Sequence, residues 1–291
     1  MFICILKKNE MENNDSTQNV IDIVNNIDDD GDNPINTIFN NDIKDKFNDK
    51  FNSKFDTTLN NNCVSSSNVN DKYIQHKHKH KPVFTFDSLH TCSNSDYDSI
   101  KDVIDTCLLV IARVGKMCNG LLVGGVVRDY FIMDEIAKDV DLRFSSFQDI
   151  DKFMYILKQL HNVEILEQSE NKSRTLFVKK CEVIFVLSNA ICMFDVDITT
   201  KMDTTSISYD FICNGITYDG TNFGFIENND QSLLELAITH ISQKIMVPNP
   251  RLLVSSRQNM RRKQCYLYRI SKFQERGWTI VDCDKIIESL G

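Results

Sequence analysis

Apolar residues follow a helical period in the middle of the chain. Between Ser99 and Asn119 they recur every three or four positions, at Ile100, Val103, Ile104, Cys107, Leu108, Ile111 and Val114. Asn119 is followed by Gly120, a pair that is typical of a helix end and a turn. The pattern therefore predicts a helix over about 100–117.

Two later stretches show the same period. One begins near Ser146, which stands at capping-box spacing from Asp149, and continues to about residue 160. The other covers 233–241. Both predict helices that bury one apolar face against a core.

A short apolar run at 121–123 predicts a buried strand, and it is followed at once by Gly124 and Gly125. The next residues, 126–132, indicate a helix that opens directly after the glycines. A strand, a glycine turn and a helix thus stand in series.

Polar and apolar residues alternate at 138–144 and again at 194–200, which is typical of strands with two different faces. The runs 176–178 and 183–187 indicate further strands. Strands and helices mixed in this order predict an α+β fold, a mixed sheet with helices packed on one face.

Composition divides the chain into three regions. Residues 1–97 form an arm rich in Asn and Asp, and the first 100 residues hold 10 Lys against 16 acidic residues, a net charge of −6. Such a segment buries too little apolar surface to offset its chain entropy, so we expect it to be disordered. We expect a sheet domain over 98–230 and a helical extension over 231–291.

Nothing in the sequence predicts a membrane segment. The apolar start at 1–6 is shorter than a signal peptide core and is followed by Lys7 and Lys8, and no run approaches the roughly 18 apolar residues of a spanning helix. The ten Cys are scattered without a CxxC pair, which favours buried reduced thiols. We expect a soluble intracellular protein of undetermined compartment.

The glycine turn has two interpretations. Gly124 and Gly125 let a backbone approach a ligand closely, and amides at a helix start can hold a phosphate. A tight structural turn explains the same pair. The segment lacks the P-loop Lys and the third Gly of dinucleotide-binding motifs.

Carboxylates supply the second candidate feature. Asp139 and Asp141 share one face of a predicted strand, where like charges so close raise one another's pKa unless a cation compensates. A solvated strand explains the same pair without a metal. Asp195 and Asp197 share a face of another predicted strand, and either could complete a metal site with the first pair.

The segment 122–129 followed by 138–142 resembles the head domain of class II transfer-RNA nucleotidyltransferases, the CCA-adding enzymes, and of bacterial poly(A) polymerases. These enzymes belong to the polymerase-beta-like nucleotidyltransferase superfamily. The run 197–200 is similar to the family's later acidic strand, so we prefer Asp197 to Asp195, and 209–214 resembles its Arg-Arg-Asp-Phe-Thr-Ile-Asn segment.

The resemblance implies a Mg²⁺-dependent enzyme that transfers nucleotides from a nucleoside triphosphate to an RNA 3′ end. It assigns metal binding and catalysis to three carboxylates, in which Asp139 and Asp141 hold two Mg²⁺ ions and Asp197 supports the ion nearer the attacking hydroxyl. The resemblance also implies a set of nucleotide-binding residues: Gly124, Gly125, Arg128, Asp129, Asp210 and Asn214. In this set the two glycines cradle the phosphates, Arg128 adds positive charge, and Asp129 orients Arg128 or the sugar.

The chain departs from this family at the residues that select a base. Ser208 and Tyr209 stand where the family has two Arg. Near the expected base-selecting motif we find Arg262, Lys263 and Tyr266, and an alternative register at 249–253 also lacks the acidic pair. The family continues into domains that hold transfer RNA, so we do not expect this chain to grip a whole transfer RNA in that way.

Residues 251–276 contain eight Lys or Arg and one acidic residue. This positive charge could bind a phosphate backbone or a triphosphate, and a basic, solvated helix face explains it equally well. Two other functions stay open. The chain could be an inactive relative that binds nucleotide or RNA as a subunit, or an interaction protein that recruits a partner through the acidic arm.

Overall fold

The computed structural model describes residues 81–173, 176–188, 190–201, 209–226, 231–250 and 260–290. The predicted disorder of residues 1–80 lies outside these ranges. The strands are β1 (Val83–Phe84), β2 (Gly120–Val123), β3 (Val140–Phe144), β4 (Val163–Lys172), β5 (Leu176–Val186), β6 (Ile191–Lys201), β7 (Ile216–Tyr218), β8 (Phe223–Phe225), β9 (Ile245–Met246) and β10 (Thr279–Ile280). The helices are α1 (Ser88–Thr91), α2 (Asn94–Met117), α3 (Phe147–Gln159), α4 (Gln231–Ser242), α5 (Met260–Glu275) and α6 (Cys283–Leu290), with a π-helix (Val126–Ile132) and a 3₁₀ helix (Ile212–Gly215).

The main sheet is mixed, as the sequence predicted. Its strands run in the order β4-β5-β6-β3-β2-β7-β8, and β1 pairs with β6. β3 and β1 both lie parallel to β6, whereas the other strand pairs are antiparallel. The α+β prediction is confirmed.

The two faces of the sheet differ in chemistry. Alternate residues of β3 and β6 are buried against α2 and α3, among them Val140, Leu142, Val196 and Ile198. The residues between them, such as Asp141, point to the opposite face. The apolar positions that the alternation predicted therefore build the core, and the carboxylates are left on the other side.

Helix α3 begins where the spacing of Ser146 and Asp149 predicted. The Ser146 hydroxyl accepts a hydrogen bond from the Asp149 backbone N–H at 3.2 Å and donates to the Asp149 carboxylate at 2.6 Å. This capping satisfies a backbone donor that a helix start would otherwise leave unpaired.

The predicted arm boundary at residue 97 is wrong. β1 pairs with β6, and Phe84, Phe86 and Leu89 are buried in the same core as the sheet. Residues 81–97 therefore belong to the folded domain. A two-residue strand and a four-residue helix are too short to show a period, so the polar composition around them concealed them.

The region after residue 230 is helical, as expected, but it also contains a strand pair that the sequence did not indicate. β9 and β10 pair in parallel. The region shares one hydrophobic core with the sheet domain, since Tyr266 of α5 stacks on Phe211 with ring centroids 5.4 Å apart.

No helix in the described part of the chain is long and apolar enough to span a membrane. The cysteines of the described residues are all free thiols, and most of them are buried, as predicted.

Candidate active site

Two predicted carboxylates lie side by side on adjacent strands. The parallel pairing of β3 with β6 sets Asp141 directly opposite Asp197. Asp139 comes just before β3 and acts on Asp141 through its charge. Asp195, the alternative to Asp197, is exposed and stands opposite Glu182 of β5. The register therefore brings Asp197 to the Asp139–Asp141 pair.

The electrostatics of Asp141 are unfavourable to a bare carboxylate. Burial, together with the negative charges of Asp139 and Asp197, raises the pKa of Asp141 to about 7. Arg143 and Lys180 act in the opposite direction without restoring the ordinary value. A cation near Asp141 would relieve this cost.

The glycine turn touches this carboxylate. Gly124 has a φ of +73°, and a Cβ added there would lie 2.5 Å from Asp141 Oδ2. Gly125 has a φ of −61°, and its added Cβ would meet nothing closer than the Asp129 carboxylate at 3.7 Å. The structure thus requires glycine at 124 for both backbone conformation and space, and at 125 for neither.

Lys180 is a member of the site that the sequence did not reveal. It lies on β5 opposite Asp197, and its Nζ is 2.8 Å from Asp197 Oδ1 and 2.6 Å from Oδ2. The hydrogen bond to Asp197 raises the pKa of Lys180, against partial burial, and the charges of Asp197, Asp139 and Asp141 add to the rise. Lys179 and Lys180 match no sequence motif, and only the pairing of β5 with β6 shows that Lys180 meets Asp197.

Arg128 and Asp129 are buried and pair with each other. The Arg128 Nε donates to Asp129 Oδ1 at 2.6 Å, and its Nη2 donates to Oδ2 at 2.7 Å. The guanidinium also lies over the rings of Phe273 and Trp278, at 4.9 and 5.5 Å from their centroids. Arg276 of the turn after α5 donates to Asp129 Oδ2 at 2.9 Å.

Asp210 and Asn214 extend the same network. Arg128 Nη1 donates to the Asn214 side-chain oxygen, and Asn214 Nδ2 donates to Asp210 Oδ1 at 2.7 Å. Asp210 also accepts from the Phe211 backbone N–H at 3.0 Å and from Arg269 of α5. Four of the predicted nucleotide-binding residues therefore join the π-helix and the 3₁₀ helix to α5.

This geometry corrects the role expected of Arg128 and agrees with one of the two roles expected of Asp129. Arg128 is only 4% exposed and its three donor nitrogens are engaged within the protein, so it does not offer open charge to a phosphate. Asp129 orients Arg128, which is one of the two roles that the resemblance implied for it.

The expected base-selecting positions are also built into the fold. Tyr266 is buried against Phe211, and Asn249 donates from its backbone N–H to the Asp210 carbonyl at 2.7 Å. Tyr209 packs its ring against Phe225. Ser208, Arg251 and the side chain of Arg262 lie outside what the structure describes.

The donor set suits a hard cation, although the three predicted ligands do not form a closed cage. Carboxylate oxygens such as those of Asp139 and Asp141 are the ligands that Mg²⁺ prefers, and the charge repulsion at Asp141 fits a cation there. Among the described residues no three His, Cys, Asp or Glu side chains are grouped closely enough to hold a metal ion. The Asp197 carboxylate faces Lys180.

Comparison of the sequence with known proteins finds no family model that matches the chain and no curated protein of significant similarity.

Proposed function

We propose that this protein is a Mg²⁺-dependent nucleotidyltransferase that adds nucleotides from a nucleoside triphosphate to an RNA 3′ end. The observation that carries the proposal is the β3–β6 pairing, which aligns Asp141 with Asp197 on an open sheet face beside the Gly124 turn. The order of elements, with a strand, a glycine turn and a helix before the acidic strands, is the one expected from the resemblance.

Asp139 and Asp141 would hold the Mg²⁺, and Asp197 would support the site from β6. A metal ion so held lowers the pKa of an attacking hydroxyl and neutralises the charge of a triphosphate and of the leaving pyrophosphate. Gly124 keeps the backbone close to the Asp141 carboxylate, so that a phosphate chain at the turn would lie near the metal.

The buried network has a positioning role in this proposal. Arg128, Asp129, Asp210 and Asn214 hold the π-helix against α5 through charged hydrogen bonds. Since the π-helix follows the glycine turn directly, the network anchors the helix that begins at the turn.

RNA is supported as the acceptor by one face of α5. Arg261, Tyr268 and Lys272 are all exposed and recur at helical spacing, and the Tyr268 side chain is 69% exposed. Cations that bind phosphate beside an aromatic ring that stacks on a base are typical of surfaces for single-stranded nucleic acid.

The second candidate function is an inactive relative that binds nucleotide or RNA as a subunit. The ion pair between Lys180 and Asp197 favours it, because a carboxylate already held by an ammonium is a poorer metal ligand.

An extension assay separates the two functions. Purified full-length protein is incubated with a mixed RNA pool, Mg²⁺ and each labelled nucleoside triphosphate. We expect RNA labelled at its 3′ end, at least a hundredfold less product with Asp141→Asn, and no change with Asp151→Asn, a matched change at an exposed position of α3. Equal labelling by Asp141→Asn would contradict catalysis at this site, and binding without labelling would favour the inactive relative.

A further inference from the structure

A row of three charged side chains crosses the open face of the sheet. The strand registers align Asp141 of β3 with Asp197 of β6, and Asp197 with Lys180 of β5. Side chains directly opposite on neighbouring strands are within reach of one another. The Lys180 ammonium therefore lies beside the carboxylates of Asp139, Asp141 and Asp197, which together form the acidic row.

Lys180 engages both oxygens of its partner. Its Nζ lies 2.8 Å from Asp197 Oδ1 and 2.6 Å from Oδ2, which are hydrogen-bond distances. Its sequence neighbour Lys179 has other partners, Glu167 and Glu170 of the hairpin strand β4. The contact of Lys180 with the acidic row is therefore specific to its position in the register.

A divalent ion at Asp197 would have to approach the same two oxygens. It would meet the positive charge of Lys180 at a few ångströms, where like charges repel appreciably even with partial solvent screening. The hydrogen bonds of Lys180 in the described part of the chain go to Asp197, and Lys180 acts on Asp139 and Asp141 through its charge. Their end of the row remains the place where a cation relieves repulsion.

We propose that Lys180 is a resident cation of this site, which takes at Asp197 the place of a second divalent ion. The chain then holds one divalent ion, at Asp139 and Asp141, where the resemblance implies two. This inference rests on the proposed function, because it presumes that the acidic row binds metal.

Counting bound metal tests the inference without any turnover. Mn²⁺ is titrated calorimetrically into the full-length protein and into three variants, Lys180→Gln, Lys180→Met and Lys158→Gln. Lys158 is the matched control, because its side chain is 50% exposed like that of Lys180 and forms an ion pair of 2.7 Å with Glu167, away from the site. Lys180→Met keeps the aliphatic stem and removes the charge.

We expect one Mn²⁺ per wild-type chain and per Lys158→Gln chain, and two per chain for both Lys180 variants. Adding Asp197→Asn to Lys180→Gln should return the count to one. A wild type that binds two ions, or Lys180 variants that keep the wild-type count, would overturn the role of Lys180 while leaving the proposed function standing. No Mn²⁺ binding by any of these proteins would overturn both.

Discussion

The residues that resembled a nucleotidyltransferase separate into two regions with opposite character. On the open sheet face, Asp141 carries an unfavourable charge and Asp197 is held by a half-exposed Lys180. In the buried network, the Arg128–Asp129 pair is enclosed and its donors are all engaged. One region leaves charge to be balanced by a ligand, whereas the other balances it internally.

Residues of one sequence motif thus serve two purposes. The network ties the glycine turn and its π-helix to α5, which a rigid site needs. The acidic row keeps the charge that a metal or a triphosphate could use.

The largest effect should come from breaking the buried pair. Arg128→Ala leaves Asp129 with a buried charge that Arg276 alone must balance, so we expect a loss of about 3 to 5 kcal/mol in the free energy of unfolding. Lys180→Gln, which breaks a half-exposed pair on the open face, should cost no more than about 1 kcal/mol. Urea unfolding of both variants measures the contrast, and similar losses would remove the distinction between the regions.

The next effect concerns pH and the acidic row. Because the pKa of Asp141 is raised to about 7, the folded protein holds this proton more tightly than the unfolded chain does. The wild type therefore loses stability as pH rises from about 4, the usual pKa of Asp, to about 7.

Asp141→Asn lacks this titration. In the absence of divalent ions it should match the wild type near pH 4 and exceed it by a few kcal/mol at pH 8. Asp151→Asn, at an exposed helix position, should show no such difference. Urea unfolding at the two pH values checks the prediction, and an Asp141→Asn variant less stable than the wild type at pH 8 would show that the carboxylate is structural.

A smaller effect distinguishes the two glycines. Gly124→Ala forces a side chain into a φ of +73° and against the Asp141 carboxylate, so we expect a loss of about 1 to 2 kcal/mol or more. Gly125→Ala meets ordinary contacts in a helical conformation and should change stability by no more than about 1 kcal/mol in either direction. Equal losses in thermal or urea unfolding would mean that the turn adopts another conformation.

The smallest effect is expected in the choice of base. Tyr266 and Asn249 are committed to the fold, and Tyr209 stands where an Arg was expected, so few polar groups remain to match a base edge. The four ribonucleoside triphosphates should bind within roughly tenfold of one another, about 1.4 kcal/mol. Titration of each with Mg²⁺ present measures this spread, and a thousandfold preference for CTP or ATP would reveal a base template elsewhere.

The sequence predicted those parts of the fold that have a clear period. The α2 pattern predicted residues 100–117, and the helix covers Asn94–Met117. The alternation at 138–144 and 194–200 predicted β3 and β6 together with the face that carries the carboxylates. The α+β class follows from these elements.

Features that depend on pairing could not be predicted in the same way. Lys180 meets Asp197 only through the β5–β6 register, which neither strand encodes alone. The burial of Arg128 depends on Phe273 and Trp278, which lie more than a hundred positions along the chain. β1 is too short to show any period.

A double variant tests whether the acidic row binds Mg²⁺ and a nucleoside triphosphate. ATP and CTP are titrated calorimetrically, with Mg²⁺ present, into wild type and into Asp139→Asn/Asp141→Asn, and the melting temperatures of both proteins are recorded in the absence of divalent ions. We expect at least a tenfold loss of affinity in the variant, with a melting temperature no lower than that of the wild type, because removing like charge relieves repulsion. Unchanged affinity together with a large fall in melting temperature would contradict this expectation and make the acidic row a structural feature.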